Sequence, residues 1–326
     1  IYPVEAPAHP MLQQQSFPNP DCVVLTRKGD KLQSSGVRSN QDRIAIAQYR
    51  HQDNHEDFWM GLFDGHGDLG HVLAHFALAE FLKHIQKLHN QLPPTTTTTS
   101  AKTIERTKQA INDMVLTINN QLPQVYGAGS TAISIWKRHD QLFISNVGDS
   151  TAFVVSVDNK HRVQVVYTTK PHKPNDPLER QRIEGMGGIV QEPPAPEFSA
   201  RVMIPMGEGP LMNILGLAMS RSLGDFEGHP YGIIADPTTD VIALADLDPN
   251  LDYLIILASD GLLDKVSEVE IASKMAASQL LTPNAPISSL QAAEQLILQS
   301  SQAWDREFFG ASYRDDISLA VNRLRL

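Results

Sequence analysis

Cysteine is almost missing: the 326 residues include one, Cys22, so no disulfide can form within the chain. Aromatic residues make up only 6%. No run of eighteen uncharged apolar residues occurs, which leaves no candidate for a membrane-crossing helix. Positive charge is short as well, with 27 Lys and Arg against 37 Asp and Glu and a formal charge of −10. The densest basic run, Arg27-Lys28-Gly29-Asp30-Lys31, is brief and broken by an acid. Nucleic-acid binding needs a clustered cationic face, and the composition speaks against it. An anionic substrate would have to be met by a metal or a placed Arg rather than by the overall field.

What the chain does have is 41% hydrophobic content, enough for a large core and too much for a disordered polymer. At about 150 residues per domain the length allows two domains or one large unit. The chain opens on Ile1 rather than Met, which leaves room for an N-terminal address. Scarce cysteine favours the cytoplasm or nucleus, and a monomer is expected.

Residues 1–21 are Pro- and Gln-rich without apolar period and read as an extension of the domain. Pro93-Pro94 and the threonines from Thr95 to Thr99 interrupt two helical patterns. The first runs from about His71 to Leu88, with Val72, His75, Phe76, Ala79, Leu82 and Ile85 on one side; the second runs from about Ser100 to Leu122. Short β-branched strands follow at Ala132–Trp136, Gln141–Asn146, Ala152–Val157 and Arg162–Thr168, with Asn146 to Ser150 predicted as a tight hairpin turn. From about 185 to 225 the chain is rich in Gly, Pro and Met without clear period, and reads as a functional flap. A strand at Tyr253–Ser259, helices at about Glu268–Leu281 and Ile287–Phe308, and a strand at Ile317–Leu324 complete the order. Strands and paired helices in this order predict antiparallel sheets covered by helices, an α+β fold.

Apolar strands repeatedly end in Asp next to Gly. Phe58 to Phe63 runs into Asp64-Gly65-His66-Gly67, Leu254 to Ala258 into Ser259-Asp260-Gly261, and Phe143 to Val147 into Gly148-Asp149. Asp315-Asp316 precedes the last strand, and Asp42 precedes Ile44. Each alone is a turn residue. Together, at one sheet edge, they would suit hard ions such as Mg²⁺ or Mn²⁺. Two such ions about 4 Å apart can lower the pKa of a water toward neutrality, which is phosphoester chemistry.

The ordered blocks Asp64-Gly65-His66-Gly67, Gly129-Ser130-Thr131-Ala132, Asn146 to Ser150, Pro171 to Pro174, Leu217 to Asp225, Ser259 to Leu262 and Arg314 to Ser318 resemble the metal-dependent Ser/Thr protein phosphatases of type 2C. The resemblance covers about residues 22 to 326 and implies one phosphatase-like catalytic domain after the extension. The implied fold is a four-layer αββα sandwich, two packed antiparallel sheets flanked by paired antiparallel helices. The implied activity is hydrolysis of phosphoserine and phosphothreonine in proteins by water or hydroxide held between two divalent metals. By the same resemblance, Asp64 bridges both metals, the Gly65 carbonyl is a ligand of the first, and Asp260 and Asp315 are ligands of the second. Asp149 with Asp260 would support a weaker third. Asp42 orients the water, Thr131 lies nearby, His66 is the general acid, and Arg38 grips phosphate oxygens.

The chain departs from the family pattern at several places. Arg38 stands one residue nearer the following Asp than usual, Gln41 replaces an acid, Pro171 an Asp, Thr151 an Arg and Leu263 a Trp. These lean toward an alternative in which the fold serves as a regulatory binding module with weak or no activity; the retained His66 and metal carboxylates lean the other way. Two further chemistries fit less well. His71 and His75 have the spacing of zinc ligands, but Val72 stands where a Glu base would be, so a core or surface pair is expected. Cys22 begins a β-branched run without Gly and reads as a buried structural residue rather than a nucleophile.

Overall fold

The computed structural model describes residues 13–15, 22–31, 39–50, 56–92, 100–193, 195, 198–206, 213–279, 287–307 and 313–326. Two antiparallel sheets form the middle of the molecule. In the first, β1 (Gln13–Gln15), β2 (Cys22–Arg27), β18 (Ile317–Leu324), β16 (Asp252–Ala258), β9 (Thr151–Val157) and β10 (Val163–Thr168) lie side by side in that order. In the second, β5 (Glu56–His66) pairs with β4 (Asp42–Arg50) on one side. On its other side lie β6 (Gly129–Ser130) and β7 (Ala132–Arg138). Next to β7 come β8 (Gln141–Val147) and β15 (Thr238–Ala243), while β14 (Leu223–Gly224) flanks β6.

Helices α1 (Gly70–Gln91) and α2 (Ala101–Gln121) cover the second sheet, with Ser100 capping α2 through the Thr103 amide. The first sheet is covered by α5 (Glu268–Gln279) and α6 (Ser289–Glu307). A single turn, α4 (Asp260–Leu263), follows β16. Helix α3 (Pro177–Gly185) leads into a small sheet of β11 (Ile189–Gln191), β12 (Arg201–Met206) and β13 (Asn213–Leu217). A short ladder joins β3 (Asp30–Lys31) to β17 (Tyr313–Arg314).

Strand alternation builds the layers. Along β5, Trp59 and Phe63 turn toward the α1–α2 layer, whereas Phe58, Met60 and Leu62 turn toward the other sheet. Along β16, Leu254, Ile256 and Ala258 meet α5 and α6, and Tyr253, Ile255 and Leu257 meet the second sheet. Both faces of these central strands are thus covered, which is why they are apolar almost throughout, whereas the edge strand β10 alternates between half-buried and exposed residues. Gly61 leaves room for the Trp59 ring, which a Cβ there would approach to 2.4 Å.

The α+β sandwich and its helix pairs agree with the sequence reading, and β18 spans the strand predicted for it. Three details differ. Helix α1 buries Leu73, Ala74, Ala77, Leu78, Phe81, Leu82 and Ile85 and leaves Val72 and His75 exposed. Its sequence carries two overlapping apolar stripes, and the expected one shares only Leu82 and Ile85 with the buried one. Asn146 to Ser150 is not a hairpin: β8 and β9 belong to different sheets, and the segment crosses between them through Gly148 at φ 102°. Turn chemistry announces a change of direction but not the sheet in which the next strand pairs. The aperiodic stretch at 185–225 holds the three strands of the small sheet, whose inner residues Val202, Ile204 and Leu217 pack with Ile183 and Ile233. Of the expected extension only Gln13–Gln15 is described, as an edge strand on β2, and the Thr95–Thr99 run lies outside the described residues.

Phe81 joins the two layers of the α1 side, its ring 4.9 Å from Phe63 and 6.2 Å from Trp59. Phe81→Ala is expected to lower the unfolding free energy by about 3–5 kcal/mol through the cavity it leaves. Val269→Ala, at a site 65% exposed, should change it by less than about 0.5 kcal/mol. Urea unfolding of both variants checks the contrast.

Candidate active site

Antiparallel pairing carries the acidic residues to one edge. The end of β5 and the start of β4 lie together, with Asp42 opposite Asp64 in register. The end of β16 and the start of β18 lie together in the other sheet, bringing Asp260 near Asp315 and Asp316. The crossing between β8 and β9 adds Asp149. Asp64, His66, Asp260 and Asp315 line one cleft of about 440 Å³, with Asp264 and Glu307 on its wall and Phe198, Arg201, Leu215, Leu217 and Met219 contributed by the 185–225 segment.

Asp42, Asp149 and Asp316 are buried beside the cleft at 2%, 4% and 3% exposure. Asp316 accepts the amides of Gly29 and Gln41 at 2.6 and 2.9 Å. Thr131 brackets Asp64, its hydroxyl accepting the Asp64 amide at 3.0 Å and its amide donating to the Asp64 carbonyl at 2.9 Å. Gly65 is pressed so closely against α1 that a Cβ would lie 2.4 Å from the Gly70 carbonyl oxygen. Arg38 lies outside the described residues.

Charge of one sign dominates. Burial, and then the charges of Asp316 and Asp315, push the Asp42 carboxyl up to about 7. Asp260 meets the cleft with part of its surface, yet desolvation is the largest cause that raises it well above the carboxylate range, followed by Asp149, Asp315 and Asp264. Lys173 answers from the other side, donating to Asp149 Oδ2 at 2.6 Å. Burial works against its ammonium, but Asp149 and Asp260 outweigh burial and hold its pKa above the ordinary lysine value. The Asp149 Oδ1 and Asp260 Oδ1 atoms are buried without a hydrogen-bond partner.

The residues fit divalent cations. All the donors are oxygens, two buried carboxylate oxygens lack partners, and the raised acids need positive charge to ionise together. Among the described residues no three His, Cys, Asp or Glu side chains close on a single point. An Mg²⁺-type ion does not require that, because it keeps several waters and takes one or two carboxylates.

Several working residues carried no assigned role in the sequence reading. Asp225, wholly buried, meets His66 Nε2 at 2.6 Å. It closes the Leu217–Asp225 block, but nothing local announces a partner 159 residues away. His172 accepts the Gly148 amide at 3.1 Å through Nδ1 and so braces the crossing that carries Asp149. Burial, then Arg221, pushes His172 down to about 4, which keeps it neutral and able to accept. Gln41 donates from Nε2 to the Gly67 carbonyl at 2.6 Å. His75 is exposed on α1, and Cys22 is buried in the core between the sheets, as expected.

The family model for protein phosphatase 2C matches residues 28–302. The probable protein phosphatase 2C 34 of Arabidopsis thaliana is 31% identical over 311 residues, spanning 90% of this chain and 78% of its own. The probable protein phosphatase 2C 73 of the same plant is 32% identical over 278 residues, spanning 79% and 69%. A serine-threonine phosphatase 2C from Toxoplasma gondii superposes with a TM-score of 0.71 at 19% identity, over 95% of this chain and 96% of that one. A C. elegans sex determining protein superposes at 0.63 and 19%, over 96% and 67%. The chain belongs to the protein phosphatase 2C family. By that membership it is a protein-serine/threonine phosphatase.

The raised acids give a pH test. Asp42 titrates near 7 in the folded protein against 3.8 ordinarily. Between those values the native state binds the extra proton, so this group's contribution to stability is present below about pH 4 and is lost as pH rises through 7. Without divalent cations, Asp42→Asn should therefore gain on the parent between pH 4 and pH 7 by at least about 1.4 kcal/mol, the equivalent of one pKa unit. Urea unfolding at several pH values measures the difference; a constant gap would contradict it.

Proposed function

We propose that this chain hydrolyses phosphoserine and phosphothreonine in protein substrates at the acidic cleft, with Mg²⁺ or Mn²⁺ held by Asp64, the Gly65 carbonyl, Asp260 and Asp315. The observation that carries this reading is the gathering of Asp64, Asp260 and Asp315 with His66 around one cleft. Dependence on Mg²⁺ or Mn²⁺ is general in the family. Bound there, such ions supply charge for the phosphate oxygens and lower the pKa of an attacking water.

The chain's own residues have the remaining work. Asp64 stands at the end of β5, between the carboxylates of the two sheets, and is the candidate to serve both ions. Asp42, paired opposite it, orients the water by accepting from it. His66 gives a proton to the departing Ser or Thr oxygen, which leaves poorly as an alkoxide. Asp149 and Asp260 would share a further, weaker ion in competition with Lys173. Arg38 is proposed to grip the phosphate through its guanidinium fork. The 185–225 segment walls the cleft with Phe198, Leu215 and Met219 and is the part placed to meet the residues flanking the phosphate.

Metal-stripped protein titrated with Mn²⁺ should acquire turnover of a phosphothreonine peptide, and its thermal transition should rise with the same concentration dependence. Asp64→Asn and Asp260→Asn should lose more than about 100-fold in kcat, as expected when charge stabilisation is removed, and Asp260→Asn should lose most of the thermal shift. A thermal shift without turnover in the parent would make this chain a binding module instead.

A further inference from the structure

We propose that Asp225 is a positioning residue for His66, holding the imidazole in the orientation from which it protonates the leaving oxygen; this rests on the reading of His66 as general acid. The backbone brings the two together from separate parts of the chain. His66 at the end of β5 pairs with Gly129 of β6, and Gly129 pairs with Gly224 of β14, one residue before Asp225. Two strand spacings, about 10 Å, separate the outer strands. The carboxylate spans this gap over Gly129 and reaches His66 Nε2 at 2.6 Å.

Three features show that the contact is built in. Gly129 must lack a side chain: a Cβ there would stand 2.3 Å from Asp225 Oδ2 and 2.7 Å from His66 Nε2. Asp225 adopts φ 43°, ψ 43°, a left-handed conformation that non-glycine residues rarely accept, directly after Gly224 at φ 82°. That turn is held by the Asp225 amide on the Ala128 carbonyl at 3.0 Å and by Asn119 Oδ1 on the Gly224 amide at 2.9 Å. A wholly buried carboxylate on a strained turn, aimed at one ring nitrogen, has a specific task.

An ionised carboxylate only accepts, so Nε2 carries the hydrogen in this pair and the tautomer and ring plane are set together. In the reaction the attacking water oxygen forms a bond to phosphorus as the P–O bond to the substrate breaks, and the electron pair of the broken bond stays on the departing oxygen. That oxygen takes a proton from Nδ1 of the imidazolium, Nε2–H staying on Asp225, and the ring is left neutral with Asp225 unchanged. Solvent restores the proton. Leaving oxygens differ in how much they need this help: a threonine alkoxide needs it strongly, a 4-nitrophenolate hardly at all.

The test compares kcat on a phosphothreonine peptide and on 4-nitrophenyl phosphate with Mn²⁺ present. Asp225→Asn keeps the shape but can offer an N–H where the ring needs an acceptor. Its loss of kcat on the peptide is expected to be about 10–100-fold and at least about ten times its loss on the aryl phosphate, up to the lower end of the roughly 100–10,000-fold that general acids contribute, as suits a residue that positions the acid rather than being it. KM for the peptide should move less than about threefold, as befits an interaction made in the transition state. Gly129→Ala, which displaces the pair without deleting either group, should show the same selectivity. Equal losses on both substrates, or none, would overturn the role of Asp225 while leaving the phosphatase reading intact. Failure of both variants to fold would also overturn it, because the pair would then be a brace of the fold. No turnover of either substrate by the parent protein would sink the phosphatase reading and this role with it.

Discussion

Gathering Asp42, Asp149, Asp260 and Asp316 at one edge of two packed sheets sets like charges against one another where burial leaves little water to screen them. Chain rigidity and compensating charge have to oppose that repulsion, and both are visible. Rigidity comes from strands buried on both faces and from donors aimed at single carboxylates, such as the Gly29 and Gln41 amides on Asp316. Compensation comes from Lys173, which balances only part of the cluster, as the raised Asp42 and Asp260 indicate. The remainder is what a divalent ion can provide. The same imbalance that weakens the metal-free edge gives it affinity for cations.

The departure at Gln41 acquires a physical meaning in this setting. Its side chain is fully buried and donates to the Gly67 carbonyl, while the Gln41 backbone carbonyl accepts the Gly65 amide at 3.3 Å. An ionised acid at this position could not donate. Gln41 thus ties down the turn that carries His66 from one side, and Asp225 holds the ring from the other. A substitution that leaned toward an inactive module in the sequence has, in the structure, a bracing function that an active enzyme can use.

Much of this was legible in the residues. Apolar runs ending in Asp-Gly placed the acids at strand ends, and antiparallel pairing turned strand ends and strand starts into one edge. Near-continuous apolar runs such as Tyr253 to Ala258 marked strands covered on both faces. What was not legible depends on long-range pairing. The Gly148 turn looked like a hairpin because local chemistry does not choose between sheets. The strand at 189–191 is only three residues long and that at 201–206 carries Pro and Met, so no period stood out. The α1 stripe was ambiguous because Phe76 and Phe81 both fit a helical repeat, and only packing against Trp59 and Phe63 selects Phe81.

Lys173 gives the edge one more property. Its ammonium is tethered by its own chain next to Asp149 and cannot diffuse away, so it acts as an internal counter-ion at a high and constant effective concentration. A free cation approaching Asp149 must displace it. Cation occupancy at this end of the acidic edge therefore depends on more than the number of oxygens it presents: it comes with its own occupant.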